Sequence, residues 1–345
     1  MRIVILTGIY PPKIGGPAVF SQSFARWLEK RGHDVKIITL CSSKSGKVTC
    51  VHASPITRRW KEIREALAAV KPDACLATDT ISVGYAAATS GVKYAVRFVG
   101  DQPWEIARGN NWIRVPHAEY RRKPSLAAAP LRWLQNKTLR KASVVITLNP
   151  FLASICREHN NHVVVIPNSV DSTKTPSRAA ARKKLGLHGK TLLSVGRLAS
   201  YKRVHGVIDA MTNLPGYSLL IAGEGSERKR LEKLCKKLGV SDRVRFMGNI
   251  ANEKLALYYR ACDVLVVNSE YEGTSHTILE ASVQGIAVAA ADNEGNASLL
   301  PKKCLFRLGD AKQMLERINH PQKPGKIATI SREQQFRKYE EALSL

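Results

Sequence analysis

Short apolar runs rich in Val and Ile alternate with longer amphipathic stretches over most of the chain. Apolar runs of this kind are typical of strands that are covered on both faces, as in a parallel sheet flanked by helices. The alternation therefore predicts an α/β fold made of doubly wound, Rossmann-like parallel-sheet domains. We expect strands at residues 2–8, 35–40, 74–77, 93–99, 143–148, 162–166, 191–195, 218–222, 244–247, 263–267 and 286–290.

Glycines mark the ends of helices predicted between these strands. The amphipathic stretches Ala18–Arg31 and Ser226–Leu238 are followed by Gly32 and Gly239, and glycine readily adopts the left-handed conformation that ends a helix. One more helix is expected in Ser331–Leu345, where four apolar residues fall on one face: Phe336, Tyr339, Ala342 and Leu343.

The strand pattern breaks once, and this break predicts the junction between two domains. Residues 172–190 are polar, basic and poor in strand formers, and a new series of strands and helices begins at Thr191. We therefore expect an N-terminal domain (1–170), a C-terminal domain (171–330) and a final helix (331–345) that packs back on the N-terminal domain.

Length and composition exclude several classes of protein. With 345 residues, 44% of them hydrophobic, the chain is too long and too apolar to be a disordered tail. No apolar run approaches the ~18 residues of a membrane-spanning helix, and the first strand follows Met1 too closely for a signal peptide. We therefore expect a cytoplasmic protein whose seven cysteines, none in a C-x-x-C pattern, are reduced thiols.

The charge of the chain is unusual for its size. Lys and Arg number 54 against 28 Asp and Glu, which gives a net charge of +26. A positive field of this strength favours anionic partners such as nucleotides, phospholipid surfaces or nucleic acid. The alternative is a general basic bias that serves solubility.

Two glutamates near the end of a late strand are candidates for ligand binding. That strand is predicted to end near Asn268 and a helix to begin at Thr274 or Ser275, which are favourable N-cap residues. Doubly wound sheets bind ligands at such strand ends, where the helix N-terminus favours anions. Glu272 lies in the loop and Glu280 about two turns along the helix. We expect these carboxylates to bind the hydroxyl groups of a sugar and a ribose, unless Glu272 only stabilises the helix dipole.

Two further loops follow predicted strands. Arg197 and Lys202 come after the strand 191–195, where they could neutralise a pyrophosphate, although a solvated basic loop is the alternative. Gly15 and Gly16 come after the first strand, where they allow the backbone to approach a ligand closely or simply form a turn. The pattern there matches neither G-x-G-x-x-G nor a Walker A loop.

Several of these elements occur in one order, and together they resemble the retaining glycosyltransferases of family 4, which have the GT-B fold of two Rossmann-like domains facing a central cleft. The resemblance covers residues 1–40 and 143–291 well and 41–142 loosely. It rests on Tyr10-Pro11-Pro12 with Gly15-Gly16, Arg31-Gly32-His33-Asp34-Val35, Gly196-Arg197 with Lys202, Ala222-Gly223-Glu224-Gly225, Leu238 to Gly248, and Glu272-Gly273 with Leu279-Glu280-Ala281.

The resemblance implies a nucleotide-diphosphate sugar as donor, a UDP- or GDP-sugar, with no other cofactor. It places Arg197 and Lys202 on the diphosphate and Glu280 on the ribose. It also implies that Glu272 and the backbone amides of Gly273, Thr274 and Ser275 face the donor sugar. Gly16 would let the N-terminal domain close over the phosphates, and the other implied donor-binding residues are Gly15, Gly223 and Met247. No Asp-x-Asp occurs in the chain, so we expect cations and a helix dipole, without a metal ion, to stabilise the leaving group.

The chain departs from the family pattern on the sugar side. Members often have a His after a strand of the N-terminal domain, and here Gly100-Asp101-Gln102 follows Tyr94–Val99. Asp101 is the candidate catalytic residue in its place, or else it caps the loop. Ser169 replaces the usual Gly of the interdomain motif Pro167–Asp171, and Ala291–Asn296 replaces a Gly-Gly segment.

The region 104–141 is predicted to form the acceptor side. Its basic residues are Arg108, Arg114, Arg121, Arg122, Lys123, Arg132, Lys137, Arg140 and Lys141, interleaved with Trp104, Trp112, Tyr120 and Trp133. This composition suits an anionic membrane surface or a nucleic-acid backbone with base stacking. The alternative is that the aromatic residues lie in the core and the charges form a solvated rim.

The sequence thus predicts a retaining hexosyltransferase whose acceptor is a glycan or a lipid-linked hydroxyl, located in the cytoplasm and peripherally at the inner face of the membrane. One alternative is a transferase that adds sugar to DNA or RNA bases. Another is a non-catalytic sugar-nucleotide binding protein.

Overall fold

The computed structural model describes residues 1–12, 15–40, 47–52, 54–170, 175–327 and 329–344. The chain forms two compact units. Unit 1 comprises Met1–Ala107, Lys123–Asn168 and Ile330–Leu345, and unit 2 comprises Arg108–Arg122 and Ser169–Thr329. Four sequence features extend outside the described residues, namely Lys13 and Ile14 of the first glycine motif, Cys41, Asp171, and part of the polar stretch 172–190.

Unit 1 is built on a seven-stranded sheet in which every pair of neighbouring strands is parallel. The strands are β1 (Arg2–Thr7), β2 (Asp34–Leu40), β3 (Val48–Val51), β4 (Ala74–Ala77), β5 (Ala95–Phe98), β6 (Val144–Thr147) and β7 (Val163–Val165). They lie in the order β3-β2-β1-β4-β5-β6-β7. The order reverses between β1 and β4, which makes their carboxyl ends the expected ligand-binding edge of this sheet.

Helices accompany the strands of unit 1. They are α1 (Gly16–Lys30), α2 (Ile56–Val70), α3 (Gly84–Ala88), α4 (Gln102–Gly109), α6 (Ala129–Lys141), preceded by a 3-10 helix (Leu126–Ala128), α7 (Pro150–Arg157) and α15 (Arg332–Ser344). The helix α4 carries the chain from unit 1 into unit 2, where α5 (His117–Arg122) follows. Two apolar clusters, which share no residue, fill the core of this unit.

Unit 2 has a six-stranded parallel sheet of the same kind. Its strands are β8 (Lys190–Val195), β9 (Tyr217–Ala222), β10 (Val244–Gly248), β11 (Val264–Val267), β12 (Ala287–Ala291) and β13 (Leu305–Phe306), in the order β10-β9-β8-β11-β12-β13. The reversal falls between β8 and β11. These two strands pair at Val264 with Leu192 and at Leu265 with Leu193.

The helices of unit 2 are α5 with α8 (Arg178–Leu185), α9 (Val204–Ala210), α10 (Arg228–Lys237), α11 (Asn252–Ala261), α12 (His276–Gln284), α13 (Glu294–Ala297) and α14 (Ala311–Asn319). Short 3-10 helices occur at Ser200–Lys202, Met211–Asn213 and Lys302–Cys304. The core strands are buried on both faces; β11 and β12, for example, contain no exposed residue. This double burial is why their sequences are almost uniformly apolar.

The fold confirms the predicted class, two Rossmann-like parallel-sheet units. All eleven predicted strands are present within one or two residues, and two short ones, β3 and β13, were missed. The predicted helix ending at Gly32 begins at Gly16, two residues early, and the glycine has a φ of +82°. The thiol prediction holds for five buried cysteines, Cys75, Cys156, Cys235, Cys262 and Cys304. It is wrong for Cys50, which is disulfide-bonded.

The final helix α15 belongs to unit 1. The four residues expected on one face, Phe336, Tyr339, Ala342 and Leu343, are all buried. They pack with Phe20 and Phe24 of α1, where the Phe24 and Phe336 ring centroids are 5.2 Å apart. At the helix edge, Glu340 accepts hydrogen bonds from Arg31 at 3.0 Å and contacts His33 at 2.7 Å. The last residues of the chain therefore complete the core that the first strand begins.

Candidate functional site

The carboxyl ends of β8 and β11 bring the two predicted charged loops of unit 2 together. Because the sheet order reverses between these strands, the loops that follow them leave on opposite faces and open a crevice. The backbone amide of Glu270 donates to the carbonyl oxygen of Tyr201 at 2.8 Å. The side-chain amide of Asn268 donates to the carbonyl oxygen of Arg203 at 3.0 Å. The two loops thus form one hydrogen-bonded structure.

Lys202 and Glu272, predicted from separate motifs, are in direct contact. Lys202 Nζ lies 2.7 Å from Glu272 Oε1, and Ser269 Oγ donates to the same oxygen at 2.6 Å. Their side chains are only 21% and 13% exposed, so this ion pair is better shielded from water than a surface pair. A cation and a carboxylate are thereby held side by side at the edge of the sheet.

Arg197, the other predicted cation, is placed by an aromatic neighbour. It is exposed, and its Nη2 donates to the Tyr201 hydroxyl at 2.7 Å. Lys202 Nζ also lies 5.3 Å from the centroid of the Tyr201 ring. Tyr201 itself is buried, so one fixed ring orients both cations of the loop.

Glu280 lies on α12, where it meets a tyrosine of α11. The Tyr259 hydroxyl, which is buried, donates to Glu280 Oε2 at 2.9 Å. Burial raises the pKa of Glu280 above its usual value, and the hydrogen bond from Tyr259 opposes that rise. The hydrogen bond from the phenol therefore occupies Oε2 and favours the ionised form of the carboxylate.

The helix α12 begins where the sequence predicted. Its N-cap is Ser275, whose Oγ lies 2.9 Å from Thr277 Oγ1 and makes no capping bond to the backbone. Thr274 Oγ1 donates to the carbonyl oxygen of Gly273 at 2.8 Å. The nine-residue helix directs the positive end of its dipole toward the loop that carries Glu272.

The glycine predicted in Ala222–Gly225 has a backbone reason to be glycine. A Cβ on Gly223 would lie 1.9 Å from the carbonyl oxygen of Gly196, and the φ of Gly223 is +139°. The ends of β8 and β9 therefore approach too closely for any side chain. Met247, on the neighbouring strand β10, is half-buried and packs against the core.

A second ion-pair cluster, which the sequence did not predict, lies beside the first. Glu270, with a side chain only 6% exposed, receives two hydrogen bonds from Arg108, at 2.8 and 2.9 Å, and one from Arg203 at 3.4 Å. Ser200 Oγ donates to the carbonyl oxygen of Arg108 at 3.2 Å. Arg108 thus contacts both loops at once. Its only sequence signal was its place in a basic region, which gave no hint of Glu270.

The segment that replaces the family's Gly-Gly element also supports the Glu272 loop. The side-chain amide of Asn293 donates to the carbonyl oxygen of Ser269 at 3.0 Å. A Cβ on Gly295 would lie 2.0 Å from the carbonyl oxygen of Glu272. The helix α13 therefore packs directly against the backbone of that loop, which explains a glycine at 295.

The candidate site residues of unit 1 follow strands β1 and β5 of its own sheet. Gly15 caps α1, Gly16 is its first residue, and a Cβ on Gly16 would meet no atom within 4 Å. Asp101 follows β5 and is 3% exposed, and its Oδ1 accepts a hydrogen bond from Gln135 at 3.2 Å. Asp101 is therefore tied into the interior of unit 1.

The aromatic residues of 104–141 fall into two groups. Trp104 and Tyr120 are 0% and 1% exposed, so for these two the core interpretation is correct. Trp112 and Trp133 are 55% and 56% exposed. The region is thus not one continuous basic and aromatic surface.

Two features are absent from the described residues. No helix in the described part of the chain is long and apolar enough to cross a membrane. Within the same residues, no group of three or more His, Cys, Asp or Glu side chains is arranged to hold a metal ion.

Comparisons with known proteins agree with this geometry. A family profile described as glycosyl transferases group 1 matches residues 177–320, and one described as glycosyl transferase 4-like domain matches residues 15–169. The glycogen synthase of Mycobacterium tuberculosis is 27% identical over 335 residues, covering 86% of this chain and 79% of that protein. The alpha-monoglucosyldiacylglycerol synthase of Streptococcus pneumoniae is 25% identical over 337 residues, with coverages of 88% and 74%.

A solved structure matches the whole chain. HepE of Anabaena, in complex with UDP-glucose, superimposes with a TM-score of 0.77 at 20% identity, covering 100% of this chain and 99% of that one. At 20% identity, this similarity is evidence for the fold alone. The two family profiles span most of the chain and agree with its motifs and with both sheets, and the protein therefore belongs to the group 1 glycosyltransferases of the GT-B fold.

Proposed function

We propose that this glycosyltransferase moves a hexose from a nucleotide-diphosphate sugar to a hydroxyl of a glycan or lipid-linked acceptor, with retention of configuration and without a metal ion. The observation that carries the proposal is the 2.7 Å contact between Lys202 and Glu272 at the adjoining ends of β8 and β11. A cation suited to phosphate and a carboxylate suited to hydroxyl groups meet there, where doubly wound sheets bind their ligands.

In this proposal the two cations of the β8 loop bind the diphosphate of the donor. Lys202 and the exposed Arg197 bind its oxygens, and the N-terminal end of α12 adds a favourable dipole. When Lys202 turns to the phosphate, Glu272 is released to accept hydrogen bonds from the hydroxyl groups of the sugar. The bound donor thus replaces an internal ion pair with two contacts of its own.

The nucleoside binds further along α12. Glu280, held at Oε2 by Tyr259, accepts hydrogen bonds from the ribose hydroxyls through Oε1 when it is ionised. Half-buried Met247 and the close backbone crossing at Gly223 lie at the ends of the adjoining strands, β10 and β9, and complete this side. HepE binds UDP-glucose, which favours a UDP-sugar as donor over a GDP-sugar.

The proposed chemistry needs no separate base. The bond between the anomeric carbon and the phosphate oxygen breaks as the acceptor oxygen attacks the same face, and the acceptor proton passes to the departing phosphate. Lys202, Arg197 and the helix dipole stabilise the charge that develops on that phosphate. Fixed groups of this kind are effective because they need no reorganisation during the reaction.

We place the acceptor on the side of unit 1, with Asp101 as the candidate catalytic residue there. Gly15 and Gly16 remain candidates for close backbone approach to the donor phosphates. Asp101 is buried, so its contribution is tested with Asp101→Asn, which keeps the shape and removes the charge. The Streptococcus relative is named for a glycolipid product, which favours a lipid-linked acceptor and a peripheral position at the inner face of the membrane.

The proposal is tested by offering the protein UDP-, GDP- and ADP-sugars and measuring thermal stability, donor turnover and product. A matching donor should raise the melting temperature by mass action. Turnover should persist in EDTA, and the anomeric proton of the product should show the donor's configuration by NMR. Glu272→Gln should lower turnover, whereas Lys302→Gln, an exposed lysine of the same unit, should not.

Three outcomes would contradict the proposal. Loss of turnover in EDTA with recovery on adding Mg²⁺ or Mn²⁺ would refute metal independence. Full activity of Glu272→Gln would refute the assignment of the sugar-side carboxylate. Tight nucleotide binding with no turnover of any donor would favour the non-catalytic alternative.

A further inference from the structure

The helix α6 of unit 1 has one buried face and one exposed basic face. Gln135, Thr138 and Leu139 point into unit 1 and are at most 4% exposed. Four residues at spacings of four, seven and eight line a shallow pocket on the outer side: Trp133, Lys137, Arg140 and Lys141. Such spacings place side chains on one face of a helix.

The exposed tryptophan of this face is held in place. Trp133 is 56% exposed, yet its ring centroid lies 5.8 Å from that of Tyr85, which in turn lies 4.4 Å from Trp60. Lys137 Nζ lies 4.8 Å from the Trp133 ring and 5.3 Å from the Tyr85 ring. A large apolar side chain is therefore presented to solvent in a fixed orientation, with more than half of its surface exposed.

A second apolar side chain precedes the helix. Leu126, in the 3-10 helix that leads into α6, is 90% exposed. Isolated exposed leucines are common and need no explanation. Here, however, the leucine lies seven residues before the exposed tryptophan, and basic residues flank it in the sequence at Lys123 and Arg132.

The charges of this face are not neutralised locally. No Asp or Glu occurs between Glu119 and Glu158. Among the described residues, Lys137, Arg140 and Lys141 have no carboxylate partner, whereas Arg228 of α10 pairs with both Glu224 and Glu232. The face therefore carries an uncompensated positive field, which favours an anionic partner of extended area.

We propose that this face of unit 1 docks on an anionic phospholipid bilayer. Trp133 and Leu126 enter the boundary between headgroups and acyl chains, where tryptophan is favoured, and Lys137, Arg140 and Lys141 contact the lipid phosphates. A lipid surface explains the two apolar side chains together with the charges, whereas a nucleic acid offers nothing for Leu126. The inference rests on the proposed peripheral position and does not depend on the transfer reaction.

The test measures binding of the full chain to vesicles of phosphatidylcholine with and without 30% phosphatidylglycerol. Each basic residue at a membrane surface strengthens binding about fivefold, so Lys137→Gln/Arg140→Gln/Lys141→Gln should weaken binding to the anionic vesicles about 100-fold. The matched control is Lys229→Gln/Lys233→Gln/Lys236→Gln, which removes three exposed charges from α10 in unit 2 and should change binding severalfold at most.

The apolar contribution is tested separately. Trp133→Ala should lower binding to anionic vesicles about 10-fold, and Trp112→Ala, which removes an equally exposed tryptophan of unit 2, should not. Tryptophan emission should shift to shorter wavelength on binding, and this shift should disappear in Trp133→Phe. Donor hydrolysis, measured without vesicles, should be unchanged in all of these variants, which separates this inference from the proposed function.

Several results would overturn the inference. These are equal binding to neutral and anionic vesicles, equal losses in the α6 and α10 variants, or no binding at low salt. Salt-sensitive retention on duplex DNA that the α6 variant loses, without any vesicle binding, would assign the face to nucleic acid instead. Circular dichroism of each variant establishes that it is folded.

Discussion

Basic side chains are used in opposite ways at the strand ends of unit 2 and on the outer face of α6. At the strand ends, Lys202 is paired with Glu272, and Arg108 and Arg203 share Glu270, which is almost buried. On α6, Arg140 and Lys141 are exposed, and the described residues offer them no carboxylate. The net charge of +26 therefore comes from basic side chains in two different arrangements, paired and unpaired.

The difference shows what each arrangement is suited to. A shielded pair holds its groups in one geometry, and removal of one partner leaves a poorly solvated charge. Exposed cations contribute little to stability, but their field extends about a Debye length into solution, ~8 Å at physiological salt. The paired cations are thus suited to recognising one ligand precisely, and the unpaired ones to attracting a charged surface.

The largest effect should follow from removing the paired lysine. Lys202→Ala should lower turnover by about 10²–10³-fold, because it removes a preorganised cation from the leaving phosphate. Steady-state donor hydrolysis is the measurement, and Lys141→Ala on α6 is the control. Comparable losses in the two variants would erase the distinction between the paired and unpaired lysines.

The next effect should come from Arg108. Arg108→Gln leaves Glu270 with only the longer contact to Arg203 and should destabilise unit 2 by about 2 kcal/mol. Arg108→Lys keeps the charge but loses the bidentate geometry, and it should recover only part of this loss. Denaturant unfolding measures both, with exposed Arg122→Gln as the control. Wild-type stability of Arg108→Gln would show that the Glu270 cluster contributes nothing.

A smaller effect concerns Tyr259 and pH. Burial already raises the pKa of Glu280, and Tyr259→Phe removes the hydrogen bond that opposes this rise, so the pKa should increase further. Ribose binding through the carboxylate needs the ionised form. The affinity for UDP should therefore fall about fivefold, and its decline as the pH is lowered should begin at a higher pH. Calorimetric titrations across pH measure this shift, and Tyr258→Phe is the matched control. Superimposable pH profiles would count against the assigned contact.

The smallest effect is expected on the free energy of unfolding when the charges of the α6 face are removed. Lys137→Gln/Arg140→Gln/Lys141→Gln should change the free energy of unfolding by less than about 0.5 kcal/mol, because exposed cations without carboxylate partners contribute little. Chemical denaturation without lipid measures it. A loss of several kcal/mol would mean that these charges serve the fold of unit 1, and the comparison with unit 2 would then fail.

The sequence predicted strands well because double burial makes them uniformly apolar. It missed β3, an edge strand that contains a threonine and is mostly half-buried, and β13, whose two residues leave little pattern. It also predicted Lys202 and Glu272 individually, since each follows a strand, but their contact depends on β8 lying beside β11. Strand order arises from long-range packing and has no local pattern.

The contact between Arg108 and Glu270 could not be predicted from the sequence for the same reason. The sequence placed residues 108–122 with the N-terminal half, whereas the structure groups them with unit 2. The two partners of Arg108, Ser200 and Glu270, lie roughly 90 and 160 residues later in the chain. Burial of Trp104 and Tyr120 was equally hidden, because a tryptophan or tyrosine in a basic region suits a core as well as a surface.

The position of α15 has a consequence for how the protein is made. Its residues Phe336 and Tyr339 complete the core around Phe24, yet they leave the ribosome only after the whole of unit 2. Domains usually fold as units in the order of synthesis. Unit 1 must instead wait, with an apolar groove open along α1, until all of unit 2 has been translated. Nascent chains that stall before residue 332 would carry that groove uncovered, and are the forms that chaperones would bind.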